Sequence, residues 1–373
     1  MKLSNSILTS LLIFVVTVTL FTQVSGQEVI KININEPSKS HMMVEIASIV
    51  PLETAPNCLL GNISKVNCYD HRIYLLNNNR FEEPTLFLFN DAGKFIRKTI
   101  RGKGPGEINE PFAFAIDKQE KLVYVHDQSA NATPVFDLDL KYLKSVDHEY
   151  RFISDFYHIG SDTFLIYHHQ NNPDYKSREQ YFTHTLYSKG FSQEKQLGIL
   201  SYNRITMMNT VCAADNEILL LDSWNHKIYQ LINGEKRIRY VLDFGRYGFT
   251  RKEAETLTED ELQEKMAQGN RTAAGGIYKT DDFFIITAAF KDVAKTYFRS
   301  LKSKNLYCFN DSPYAALMEY CLIQGVTDDG LVYGLVQPDK MMELQKSSGK
   351  YEDLKVTEND NPYVIFFKVS EPK

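Results

Sequence analysis

Asp222-Ser-Trp-Asn-His226 comes nearest, of any run in this chain, to a binding constellation, with the only tryptophan set among an acid, an amide and an imidazole. An exposed indole there would stack on a sugar ring or aromatic ligand while Asp222 and Asn225 orient its hydroxyls. A buried one would be a packing element whose polar neighbours form a turn. The glycine-rich stretch Arg101–Pro111 (RGKGPGEINEP) invites comparison with a phosphate cradle. A Walker loop needs Lys-Ser/Thr after its last glycine, but Glu107 follows Gly106, and strands rather than a helix come next, so neither it nor a dinucleotide fingerprint fits. The stretch reads as a corner.

Other chemistry is thinner. His168 and His169 are adjacent on a strand and point to opposite faces, so they cannot ligate one ion together. No H-E-x-x-H occurs, and a transition-metal site is not expected. No resident cofactor is expected either; calcium held by loop carbonyls with Asp127, Asp222 or Asp292, or in a central channel, is the one alternative. A G-x-S-x-G nucleophile is absent. Glu107, Asp127 and Asp222 could converge as acid and base, at separations the sequence does not disclose. The five cysteines form no C-x-x-C pair and read as small buried hydrophobes, with Cys58–Cys68 and Cys308–Cys321 close enough in sequence for pairing. The sequons at Asn62, Asn131, Asn270 and Asn310 read as turn residues.

The elements that must position these residues are short strands. His71–Leu76, Thr85–Phe89 and Lys94–Ile100, then Pro111–Ile116, Lys121–His126, Thr133–Phe136 and Lys141–Val146, are rich in β-branched and aromatic residues and separated by polar or glycine turns. The two sets align, Ile73-Tyr74 on Val123-Tyr124 and Phe89 with Lys94-Phe95 on Phe136 with Lys141-Tyr142. A self-similar period of roughly 40–50 residues with four strands is the mark of a propeller blade. Four further units follow, beginning near Phe152, Met207, Gly276 and Glu319, the last ending at Pro362–Val369. Met43–Val50 has no blade of its own and is expected to pair with the last one, closing the ring and removing an edge. Thr250/Glu253 and Thr258/Glu261 have capping-box spacing and start a charged helical insertion over Arg251–Gln268. Met341–Asn359 is a second polar insertion, expected to be partly helical.

The first 26 residues have the form of an export signal: Lys2, the apolar run Ile7–Phe21, then Val24-Ser25-Gly26 before Gln27. A membrane span would need about 20 apolar residues. No cysteine near Gln27 can carry a lipid. A formal net charge of −5 without a basic stripe argues against nucleic acid, and no second long apolar run marks a membrane span. The expected domains are therefore a signal at 1–26 and one propeller at 27–373.

Asn90–Gly106 (NDAGKFIRKTIRGKGPG), Glu107 and the strand PFAFAID resemble the most recognisable segment of a family of exported bacterial six-bladed β-propellers, similar in shape to NHL-type propellers. Ile49–Thr54, Asn225–Tyr229 leading to Leu242–Gly245, and Asn359–Pro362 resemble it too. The resemblance implies an all-β, six-bladed propeller of four-stranded antiparallel blades over nearly the whole exported chain, and little about activity, since most relatives have none assigned. The chain departs from many relatives in lacking a lipid-anchor cysteine.

Loops between blades, and those joining second to third strands, emerge on one face of a propeller, and binding sites favour such loops. This puts Arg80, Arg101, Glu107, His126, Asp127, Asp222, Trp224 and His226 on one polar rim. The expectation is a secreted or periplasmic, non-enzymatic propeller recognising a carbohydrate, peptide or envelope protein. The alternative is a hydrolase or lyase with carboxylates and histidines at the mouth of the central channel. A third reading is a structural subunit of an envelope complex, using blade edges or the insertion helix.

Overall fold

The computed structural model describes residues 27–35, 43–77, 84–148, 153–160, 162–168, 184–197, 210–214, 217–291, 293–309, 321–349 and 351–372. The expected signal, Arg80, His169 and Asp292 lie outside them. Six antiparallel sheets, each built from four consecutive strands or closed by a chain end, form a six-bladed β-propeller. Blade 1 is Ile63–Tyr69, Arg72–Asn77, Thr85–Asn90 and Phe95–Lys98. The first strands of the next five are Pro111–Asp117, Ile153–His158, Val211–Ala214, Ala273–Lys279 and Leu322–Val326. These six strands surround the axis.

A blade is apolar on both faces, because its neighbours cover both, so the core is a set of clusters between blades. Tyr74 of blade 1 meets Phe114 of blade 2 at 6.2 Å between ring centroids. Tyr124, at the equivalent place one period later, meets Phe164 of blade 3 edge-on at 4.8 Å. Leu165, Leu186 and Leu197 pack on Val211 and Leu220 of blade 4. Tyr240 stacks on Phe284 of blade 5 at 5.2 Å, and Phe309 contacts Phe367 of blade 6 at 5.7 Å. Buried tyrosines reach across with their hydroxyls: Tyr74 donates to the Leu138 carbonyl at 2.6 Å and Tyr278 to that of Ile323 at 2.8 Å. The hydroxyl of Tyr333, in blade 6, accepts from the Cys68 amide at 3.3 Å. Its approach needs Gly325, where a Cβ would overlap the phenol.

Ring closure follows the expected plan. Met43–Pro51 pairs antiparallel with Tyr363–Ser370, Val50 facing Val364, and becomes the outer strand of blade 6. Asn361 clasps the joint. Its Nδ2 donates to the carbonyls of Glu53 at 2.6 Å and Cys58 at 2.7 Å, its Oδ1 accepts from the Leu60 amide at 2.8 Å, and its own amide donates to Thr54 Oγ1 at 2.8 Å. Two segments singled out in the sequence, Ile49–Thr54 and Asn359–Pro362, are thus the two halves of one clasp.

The sequence reading missed one strand: Glu28–Lys31 pairs parallel with the last strand of blade 4, Glu235–Asp243, making that blade five-stranded. It also merged two helices. The insertion comprises α1, Arg251–Thr256, and α2, Glu259–Ala267, each with a complete capping box, on Thr250 and Thr258. Leu257 is extended (ψ 148°), because Thr258 must leave helical geometry to cap the second helix. In the second insertion α3, Pro338–Ser348, ends at Gly349, whose φ of 61° suits glycine.

Replacing Asn361 with alanine leaves two carbonyls and an amide unpaired in a residue environment only 3% exposed. The expected cost is about 2–4 kcal/mol, seen as a lower denaturant midpoint with an unchanged far-UV spectrum. A wild-type midpoint would show that the clasp does not hold the ring.

Candidate functional site

Of the residues expected on the rim, most are turned inward. Asp127 is buried at the end of the second strand of blade 2. Its Oδ1 accepts from the amides of Glu110 at 3.1 Å and Ser129 at 2.9 Å, and its Oδ2 from the Asn109 amide at 2.9 Å. It pins the blade 1–2 link and the following turn. His126 is 1% exposed, with its ring 5.4 Å from that of His148. Asp222 accepts from the backbone amide and Nδ2 of Asn225 at 3.2 and 2.9 Å, forming the turn, and burial raises its pKa. His226 sits in that turn with φ 54° and packs edge-on to Phe244. Glu107 folds back inside the glycine corner: Oε2 accepts from the Gly104 amide at 2.8 Å, and a Cβ on Gly102 (φ 155°) would overlap its carboxylate. Among the described rim residues only Arg101 is exposed, with Nε 3.3 Å from Asn109 Oδ1.

Trp224 is 4% exposed. It meets Phe249 edge-on at 5.3 Å and shares a cluster with Ala254 of α1, Leu262 of α2 and Ala273. The insertion is therefore a lid on the tryptophan, with its apolar residues facing inward beneath a charged exterior.

A partly open cavity lies elsewhere. A cavity of about 540 Å³ runs along the axis and is lined by the first strands of all six blades. None of the rim residues lines it. It is bordered by Lys118, Asp281 and Asp328, in the hairpins joining first to second strands, so its mouth is on the face opposite the expected rim. Lys65, in blade 1, reaches to blade 3 and pairs with Asp155 at 2.7 Å. The same ammonium donates to the Phe114 carbonyl at 2.9 Å and lies 4.7 Å from the centroid of the Tyr157 ring. Lys279, in blade 5, pairs with Glu217 of blade 4 at 3.1 Å, with Arg239 at 3.8 Å on the other oxygen. Lys118 pairs with Asp328 at the mouth, and His158 Nε2 is 3.6 Å from Asp117 Oδ2. Tyr157 is driven well above the ordinary phenol pKa by burial and by the Asp155 carboxylate, so it is a neutral donor. Asn67 and Gln324 add amides to the wall, and neither side chain is held by another described residue.

Some of these residues carried one overlooked signal: Lys65, Asn67, Asp155, Lys279 and Gln324 are polar positions within first strands. Among the described residues no three His, Cys, Asp or Glu side chains converge as a metal site. All five cysteines are free and buried, and burial pushes the thiols of Cys68 and Cys321 far up the scale.

The model of a domain of unknown function, DUF4934, matches residues 27–368. The chain belongs to the DUF4934 family. No curated protein shows significant sequence similarity to it. Among solved structures, this DUF4934 protein is similar to BF0058 of Bacteroides fragilis NCTC 9343, which is named as an exported protein by inference. Identity is 13% with a TM-score of 0.71, covering 92% of this chain and 99% of that one. A DUF4221-family member from Bacteroides vulgatus ATCC 8482 follows at 8% identity and TM-score 0.56, over 89% and 99% of the two chains. The WD40 repeats of RRP9 align at 11% identity and TM-score 0.50, over 88% and 100%. At such identities the likeness concerns the fold. No helix among the described residues is long and apolar enough to cross a membrane.

Two outcomes follow from the buried turn residues. Burial, reinforced by His148, lowers the pKa of His126 from 6.5 to about 3, and burial lowers that of His226 from 6.5 to about 4. Above pH ~6.5 both rings are neutral whether folded or unfolded. Below it the unfolded chain takes up protons that the folded chain refuses, so stability falls as the pH drops toward these lower values, by about 2 kcal/mol per ring at pH ~5. Urea midpoints at pH ~7 and ~5 should show this loss, and His126→Leu should lessen it; a flat profile would contradict it. Leu262→Ala should open a void under the lid at a cost of about 2–5 kcal/mol and shift the emission of the sole tryptophan to the red. An unmoved spectrum would mean the insertion does not cover Trp224.

Proposed function

We propose that this protein is an exported, non-enzymatic binding propeller that takes a polar ligand, a carbohydrate in the first instance, into the axial cavity from the hairpin face. The observation that carries the reading is the pair of unengaged amides, Asn67 and Gln324, in a cavity of about 540 Å³ that Tyr157 also lines. That volume lies in the usual range for small-ligand sites, which combine apolar or aromatic walls with a few placed polar groups. The pairing of Lys65, Lys118 and Lys279 with Asp155, Asp328 and Glu217 leaves the wall near electroneutral there, which suits a neutral or zwitterionic ligand over a strongly charged one. Export is supported by the sequence of the first 26 residues and by the likeness to a protein named as exported.

A hydrolase or lyase would have to draw on His158, which lines the cavity beside Asp117. Asp117 Oδ1, however, accepts from the amides of Gln119 and Glu120 at 3.0 and 2.9 Å, a turn-forming role. Calcium and an envelope protein are the other occupants that ligand-dependent stability distinguishes.

Thermal midpoints of the purified protein with neutral and acidic oligosaccharides, cell-wall fragments, short peptides, calcium and EDTA should reveal one stabilising class. A ligand at a hundred times its Kd adds about 2.7 kcal/mol. Asn67→Ala and Gln324→Ala should then each weaken binding about tenfold, with the midpoint of the free protein little changed. Turnover of the bound ligand, lost in His158→Ala, would replace this reading with the enzymatic one. A protein captured from envelope extract, with no shift from any small ligand, would replace it with the partner reading.

A further inference from the structure

A second cleft, of about 630 Å³, lies where the insertion rejoins blade 5. Its cations come from three places in the chain: Arg246 from the link leaving blade 4, Lys265 and Arg271 from the end of α2 and just beyond, and Lys291 from the turn between the second and third strands of blade 5. Arg271 is neutralised, because its guanidinium forks onto Glu253 with Nε–Oε2 and Nη2–Oε1 distances of 2.9 Å. Arg246, Lys265 and Lys291 form no ion pair with a described residue, and no carboxylate is among the lining residues. The end of α2 does not account for them. Its last carbonyls are already capped by backbone amides: Lys265 O by Asn270 and Arg271 at 3.0 and 3.1 Å, and Met266 O by Gly269 and Lys291 at 2.9 and 3.0 Å.

Tyr247 supplies an independent observation. Its hydroxyl accepts from Arg246 Nη2 at 2.6 Å and also from Asn35 Nδ2, a residue brought there by the parallel strand Glu28–Lys31. Both lone pairs of the oxygen are then used, and its single proton must be donated elsewhere. No described residue receives it. A hydroxyl proton with no acceptor among the described residues, beside a cleft with three cations that form no ion pair, is complementary to a group that only accepts.

We propose that this cleft binds an oxyanion, a sulfate, phosphate or carboxylate, with Tyr247 Oη donating to it and Arg246, Lys265 and Lys291 neutralising it. The site is on the face opposite the cavity mouth and independent of the ligand there. It is assembled only when the N-terminal strand, the insertion and blade 5 meet. The oxyanion can arrive free or on a polymer, and the two sources differ in the gain from multivalency.

The test is calorimetry on the whole purified protein with sodium sulfate, sodium phosphate, a sulfated glycosaminoglycan oligosaccharide and an oligogalacturonate, at two salt concentrations. Binding that weakens with added NaCl is expected. Tyr247→Phe, which keeps the edge contact with Phe290, should lose about fivefold, and the double variant Arg246→Ala/Lys291→Ala more than about tenfold. Binding of the oligosaccharides well above that of the inorganic ions, per anionic group, assigns a polymer-borne oxyanion; parity assigns a free ion. Binding to none of the four, or binding equal in wild type and both variants, overturns the site. The thermal midpoint of each variant controls for folding, and Lys265→Gln, at a half-buried position, offers a second substitution should either variant unfold.

Discussion

Every other feature of this molecule depends on ring closure. A four-stranded blade that is apolar on both faces has no stable existence alone; it needs a neighbour on each side, and the first and last blades must find one another. Here the covalent chain solves that by lending its early strand, Met43–Pro51, to the final blade, so the last sheet is built from both ends of the chain. Asn361 converts this pairing into a joint by spending its amide on the backbone of the arriving segment. A buried side-chain amide with its groups paired to backbone specifies register, since a slip by one residue would leave the same groups unpaired in the core.

Closure also decides what the axis looks like. Six first strands are brought side by side, and side chains that would be ordinary surface residues on an isolated sheet come to face one another. Lys65 and Asp155 belong to blades that are not neighbours, yet they form an ion pair across the inner wall. Lys279, on the first strand of blade 5, pairs with Glu217 at the start of the second strand of blade 4. Such pairs are costly to desolvate and hold little net stability, but once one partner is present the other is strongly required. They leave a narrow, polar, nearly neutral space, with amides and aromatics between the charges.

The two faces of the propeller thus carry different chemistry. The hairpin face opens onto the axial cavity. The opposite face is roofed in part by the α1–α2 insertion, which shelters Trp224 and brings Lys265 and Arg271 beside Arg246 and Lys291. Of the acids and imidazoles of that face, Asp127 and Asp222 accept from the amides of neighbouring turns, and His126 and His226 are buried among rings. Polar residues in propeller loops are needed by the backbone first, because each buried turn has amides that must be paired.

How much of this was legible beforehand differs sharply between fold and site, for a physical reason. Blade pattern, the closing strand and both helix caps depend on neighbours in sequence or on a repeat that recurs along it, so alternation of residue types, the forty-odd-residue period and the Thr-x-x-Glu spacings were sufficient. The corner at Gly102–Gly106 could be read for the same reason, since it is closed by its own Glu107. Depth is not a property of neighbours. Asp222-Ser-Trp-Asn-His226 looks the same on paper whether solvent or Leu262 lies over its tryptophan, and only the folded insertion decides between them. The parallel strand Glu28–Lys31 was missed because a single short strand without a repeat has no partner visible in sequence. The cavity wall is likewise assembled one or two residues at a time from six strands far apart in the chain. Sequence by itself determined the propeller and the way it closes; tertiary structure alone decided which polar side chains meet, because burial and pairing arise only after the ring has closed.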